Sequence, residues 1–131
     1  MSTEFQSVFA RLQDILKRHA RRFTVGRDTA DHYSLEAPAG PATLRAWGGN
    51  VKRPMIPVAW VRIGKAYVSF HLVGVYGNTR LRDGMSNELK TRRQGKTCFN
   101  FKSNDEALFE ELEQLTAQSI AGLIKAGYIS Q

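Results

Sequence analysis

Apolar residues recur at helical spacing near both ends of the chain and alternate with polar residues in between, a pattern that predicts helix, sheet, helix. Phe5, Val8, Phe9, Leu12, Ile15 and Leu16 fall on one helical stripe. Thr3 and Gln6 read as a capping box, which starts the first helix near residue 4 and runs it to about Arg22. At the other end Ser103 and Glu106 read as a second box, with Leu108, Leu112, Leu115, Ile120 and Leu123 along the apolar face. Asp105, Glu106, Glu110 and Glu111 crowd the positive end of that helix, and Gly127, followed by Tyr128, is placed to close it.

Glycines and prolines break the middle into short β-branched and aromatic segments, read as strands at Arg22–Val25, His32–Glu36, Thr43–Trp47, Pro57–Ile63, Ala66–Val73 and Thr97–Phe101. Gly64 and Lys65 suit a two-residue type II′ hairpin loop, which sets Ile63 opposite Ala66, Arg62 opposite Tyr67 and Trp60 opposite Ser69. One hairpin face then carries Ala59, Val61, Ile63, Val68, Phe70 and Leu72, and the other carries Trp60, Arg62, Tyr67, Ser69 and His71. The expected fold class is α+β: a two-layer α-β(5-6)-α sandwich whose antiparallel sheet has the N- and C-terminal helices on one face. Residues 77–96 form a long polar connection that holds a short helix beginning at Ser86.

Length and composition narrow the class. The 131 residues suit one domain, and 42% hydrophobic with 24% charged residues excludes a disordered or fibrous chain. One cysteine excludes an internal disulfide and a multi-cysteine zinc site, no apolar run spans a membrane, and a cytoplasmic location is expected. Charge changes the picture more. Residues 1–102 carry 18 basic and 7 acidic side chains, and residues 103–131 carry 1 and 5. This surplus favours anionic partners, nucleic acid among them. Its two clusters are Lys17, Arg18, Arg21 and Arg22 around His19, and Arg80, Arg82, Lys90, Arg92, Arg93 and Lys96.

Gly95-Lys96-Thr97 invites a phosphate-loop reading and fails it, because position 90 is lysine and a strand follows the threonine. Cys98 shares the polar face with His71, the base a cysteine nucleophile would require, but no oxyanion donors or orienting acid accompany them. His19, His32 and His71 lie on separate elements without ligand spacing, so neither a metal nor a cofactor is expected. Glu106, Glu110 and Glu113 line one side of the last helix, where a solvated face competes with weak attraction of a hard cation. The strongest candidate is the polar sheet face. There Trp60 and Tyr67 would stack on a ligand, Arg62 would fork onto an anion, and Ser69, His71, Lys96 and Asn100 would orient it. The competing explanation is a stabilising aromatic pair shielded by residues 77–96.

Lys65-Ala66-Tyr67-Val68-Ser69-Phe70-His71-Leu72, Ser86-Asn87-Glu88-Leu89-Lys90 and Gln94-Gly95-Lys96-Thr97-Cys98-Phe99-Asn100-Phe101 resemble a bacterial group within the YdhG-like domains of unknown function, over roughly residues 55–128. The resemblance implies a single YdhG-like domain over residues 1–131 with a frataxin-like fold, and for some members an iron-chaperone role. Frataxin-type sites use an acidic first helix, whereas this one holds Glu4 and Asp14 among Arg11, Lys17, Arg18, Arg21 and Arg22, so no iron-binding residue carries over. The function expected is a non-catalytic module that binds an anionic small molecule or partner on the open sheet face. The alternatives are a frataxin-like iron chaperone and nucleic-acid binding, and an uncovered face or edge would equally serve a homodimer.

Overall fold

The computed structural model describes residues 3–48, 55–76, 78–95 and 97–130. Its first helix, α1 (Thr3–Lys17), buries Val8, Phe9, Leu12, Ile15 and Leu16, the apolar stripe of the sequence. It stops at Lys17, and the basic run continues as a separate 3-10 turn at Ala20–Arg22. The last helix, α5 (Glu106–Lys125), buries Leu108, Phe109, Leu112, Leu115, Ile120 and Leu123. Its cap is Asp105 rather than Ser103, because the Asp105 carboxylate accepts from the Leu108 amide. Asp105→Ala should therefore cost about 1 kcal/mol. Ser103→Ala should be nearly neutral, and a urea midpoint moved more by the serine change than by the aspartate change would refute the assignment.

Between these helices run β1 (Thr24–Thr29), β2 (His32–Pro38), α2 (Pro41–Ala46), β3 (Met55–Ile63), β4 (Val68–Leu72), α3 (Thr79–Asp83), α4 (Asn87–Arg92), β5 (Arg93–Gln94) and β6 (Cys98–Phe101). All strand pairs are antiparallel, in the order β1-β2-β3-β4-β6-β5. The fold is the α+β arrangement that the pattern implies, with helices at both ends of the chain. Val61, Phe70 and Phe99 lie side by side on three strands and are fully buried with Leu12 and Leu112, so the terminal helices cover one face of the sheet. Phe101 meets Phe109 edge to face, with ring centroids 5.0 Å apart, and ties β6 to α5.

The segment expected as a strand at Thr43–Trp47 is α2. Pro41 sits in its first turn, where a missing amide proton costs nothing, and Gly40 caps it; only Thr43 is buried, so the segment has no alternation to satisfy in a sheet. The β3–β4 hairpin also differs in detail. Ile63 pairs with Val68, Arg62 with Ser69 and Trp60 with His71, and the Gly64 amide donates to the Tyr67 carbonyl at 2.8 Å. Lys65 and Ala66 therefore make the turn, and Gly64 lacks the positive φ that a type II′ lead would need. The register slides by two residues, and both faces keep their members except Tyr67, which lies outside β4.

Among the described residues of the 77–96 connection, most lie on the helical side and Gln94 reaches the polar face, where it bonds to Asn100. Within it the Ser86 hydroxyl accepts from the Leu89 amide as the cap of α4, as expected. The same hydroxyl and the Ser86 amide donate to the Glu111 carboxylate on α5, at 2.6 and 2.8 Å. Met85 and Leu89 enter the core beside α5, so this connection extends the helical layer.

Candidate functional site

Strand register places two rows of polar side chains across the sheet, on the face away from the helices. Arg27, Ser34, Trp60, His71, Cys98 and Gln94 form the first; Thr29, His32, Arg62, Ser69 and Asn100 form the second. Of the residues expected there, Trp60, Arg62, Ser69, His71 and Asn100 are brought together. Tyr67 is not: the turn takes it out of the strand, where it is 40% exposed beneath the Lys102 ammonium, 5.3 Å from the ring centroid. Lys96 lies outside the described residues.

The centre and the β6 side of the face are internally satisfied. The Trp60 and His71 rings stack, with centroids 4.5 Å apart and planes 13° from parallel, so each uses one π-face on the other. Asn100 Oδ1 accepts from the Ser69 hydroxyl at 2.8 Å and the Cys98 thiol at 3.3 Å, and Asn100 Nδ2 donates to Gln94 Oε1 at 2.7 Å. Burial pushes the Cys98 thiol above its usual range, against a smaller opposing pull from Ser69. The thiol is therefore protonated at neutral pH. The cysteine and His71 do sit opposite each other across β4 and β6, but the imidazole stacks on Trp60 and no base withdraws the proton, so the pair lacks the chemistry of a nucleophile.

The β1–β2–β3 side has the opposite character. Arg27 and Arg62 are exposed, and among the described residues neither guanidinium is in an ion pair. His32 lies between them, cross-strand from Arg62 and diagonal to Arg27. Burial first, then the two guanidinium groups, hold its pKa below the ordinary value, and Asp31 offsets them only partly. His71 is lowered by burial, by Arg62 and by His32. The face at neutral pH is thus two free guanidinium groups with two neutral imidazoles beside them.

Arg27, His32 and Ser34 were not among the expected site residues. The alternation of His32, Ser34 and Glu36 against Tyr33, Leu35 and Ala37 is the signal that places the last two on this face. Arg27 joins them because β1 bulges at Gly26, where pairing passes from Val25–Leu35 to Arg27–Ser34. The Ser34 hydroxyl fixes the bulge by accepting from the Arg27 amide at 2.9 Å.

Two cavities lie elsewhere. One of about 440 Å³ between α3 and α5 is lined by Asn78, Arg80, Leu81, Met85, Glu111 and Gln118. The other, about 530 Å³, is formed by Ile56, Val73, Tyr76, Thr97, Leu123 and Tyr128 near the end of α5. Neither includes a residue of the polar rows.

The acids of α5 have work of their own. Arg11 bonds to both Glu106 and Glu113, and Arg18 reaches Glu113 at 3.2 Å, so α1 and α5 are laced together by charge. The Arg11 guanidinium holds the Glu106 carboxyl below its ordinary range. A cation on this helix would have to compete with two guanidinium groups, and among the described residues no three His, Cys, Asp or Glu side chains gather as a metal site. No described helix is long and apolar enough to cross a membrane. No protein-family model, curated protein or solved structure matches the chain.

Proposed function

We propose that the protein is a non-catalytic binding module whose polar sheet face docks an acidic segment of a partner protein. The observation that carries this reading is the pair of exposed guanidinium groups of Arg27 and Arg62 on one sheet face, where among the described residues neither is in an ion pair and neither polar row holds a carboxylate. A sheet face that lines neither of the two cavities suits a partner better than an enclosed small molecule, because small ligands need a concavity to bury most of their area. Exposed arginines supply forked hydrogen bonds and fast, salt-sensitive association. Such a face fits a cytoplasmic member of the YdhG-like group, and it makes no use of the acidic helix that a frataxin-like iron chaperone would need. The single 131-residue domain would then serve as an adaptor.

The test uses poly-glutamate as the acidic probe and single-stranded oligothymidylate as the nucleic-acid probe. Arg27→Glu with Arg62→Glu should weaken poly-glutamate binding at least roughly tenfold, since two favourable charges become two repulsive ones. Arg80→Glu with Arg92→Glu, on the helical side, should leave it nearly unchanged. Equal losses from both pairs would reduce the effect to net charge and overturn the reading. Oligothymidylate binding tighter than that of poly-glutamate, and lost only with the helical pair, would put nucleic acid in its place.

A further inference from the structure

We infer that anion binding at this sheet face is coupled to proton uptake, with His32 and His71 taking protons from solvent as an anion settles on Arg27 and Arg62. The inference rests on the binding reading above and adds its regulation. The geometry is specific. His32 is flanked by Arg27 from β1 and by Arg62 from β3; the carboxylate of Asp31, one residue before it, already accepts from the Thr29 hydroxyl at 2.9 Å. His71 faces Trp60 and Arg62 from β3, His32 from β2, and the Cys98 thiol from β6. Among the described residues no carboxylate stands in either polar row; that of Glu36, two residues beyond Ser34 on β2, lies over Gly26, next to Arg27 on β1. A proton added to either ring in the free protein therefore meets cations and partial burial, which keeps both rings neutral near pH 7.

An anion reverses this balance. Its charge offsets Arg27 and Arg62, so the imidazolium forms become favourable, and the protonated His71 gains a cation–π contact with the indole already stacked on it. Because the coupling is reciprocal, whatever lets the anion raise the histidine pKa values lets protons raise the anion affinity. The sign follows. Above the pKa values of the complex both rings are neutral in the free and bound forms, and affinity is flat. Between the values of the complex and those of the free protein, affinity climbs as pH falls. Below the free-protein values it flattens again, because both forms are already protonated. The result is a face that holds an acidic partner weakly at neutral pH and more tightly in mild acid.

The probe is inositol hexasulfate, whose sulfate esters stay ionised throughout, so any pH dependence belongs to the protein. At constant ionic strength its affinity, measured with amide shifts mapped to Arg27, His32 and Arg62, should rise roughly fivefold or more from about pH 7.5 to about pH 5.5. His32→Gln with His71→Gln should flatten that profile. His19→Gln controls for the third histidine, which sits in the other basic cluster, and should leave the slope at the sheet face intact. In the unaltered protein, saturating probe should move the ring-proton titrations of His32 and His71 upward, a readout independent of any variant's folding. Face-mapped binding with a flat pH profile and unmoved histidine titrations would overturn the inference and spare the binding reading. Shifts confined to the helical clusters, with Arg27→Glu and Arg62→Glu inert at both pH values, would overturn both.

Discussion

Phe70→Ala is expected to remove about 3–5 kcal/mol of stability, a large share of the roughly 5–15 kcal/mol that holds an ordinary domain together. The ring is fully buried at the middle of β4, with Val61 and Phe99 as its cross-strand neighbours. Leu12 and Leu112, also fully buried, come from the two helices that close over this part of the sheet. Truncation removes apolar area and leaves a void that three strands and two helices would have to close together. The surrounding side chains belong to paired strands and long helices, which limits how far they can collapse inward. Urea unfolding at neutral pH measures the effect: the midpoint should fall steeply with little change in slope. A loss below about 1 kcal/mol would mean that the ring is not central to the core.

The two faces of the sheet were legible for a reason that also explains what went astray. Side chains along a strand have period two, so assigning Ala59, Val61 and Ile63 to one face and Trp60 and Arg62 to the other needs only parity. The hairpin turn lies at Lys65 and Ala66, one position beyond the Gly64-Lys65 loop that the glycine suggests, which slides the pairing by two residues and leaves parity intact. Tyr67 was the casualty, since the turn claims its position. The opposite lesson comes from Thr43–Trp47, where one β-branched and one aromatic residue suggested a strand while Pro41 was setting up a helix. Composition outweighed the capping signal there.

The candidate site was legible only in part, because its members come from both sides of a discontinuity. His71, Ser69 and Asn100 follow from simple alternation, and the same rule applied to His32–Glu36 would have added His32 and Ser34. Arg27 follows from no local rule. It faces its neighbours because Gly26 is an extra residue in β1, and the Glu36 carboxylate occupies the space that a side chain at position 26 would need. A bulge of this kind is fixed by tertiary contact rather than by the five residues around it. The packing of the 77–96 connection was out of reach for the same reason: Ser86 announces its helix locally, but the choice of α5 over the open sheet face depends on Glu111, 25 residues further along.

Gly40→Ala should be strongly destabilising, although alanine is welcome in the backbone conformation there. Gly40 has φ −87° and ψ 177°, ordinary extended geometry, so the cost is purely one of contact. A methyl group would lie 2.7 Å from the Gly127 carbonyl carbon and 2.8 Å from the Ile129 amide nitrogen, both backbone atoms that no side-chain rotation can move aside. This is where the end of the chain docks. The Gly40 amide donates to the Tyr128 carbonyl, Ala42 to Gly127 and Ser130 to Pro38, at 2.9, 2.9 and 2.8 Å, while the Thr43 hydroxyl donates to the same Tyr128 carbonyl at 2.8 Å. Forcing the strands apart would loosen all four bonds and uncover Ile129, at a cost of about 1–3 kcal/mol or more. Gly48→Ala provides the contrast, since Gly48 has φ 62° and a methyl group there would meet none of the described residues within 4 Å, so only the left-handed strain of about 1 kcal/mol is expected. Thermal unfolding should rank Gly40→Ala as the more damaging of the two. Hydrogen exchange at the Ser130 amide should accelerate in that variant alone, and an unchanged Ser130 rate would show that the chain end does not depend on the close approach at Gly40.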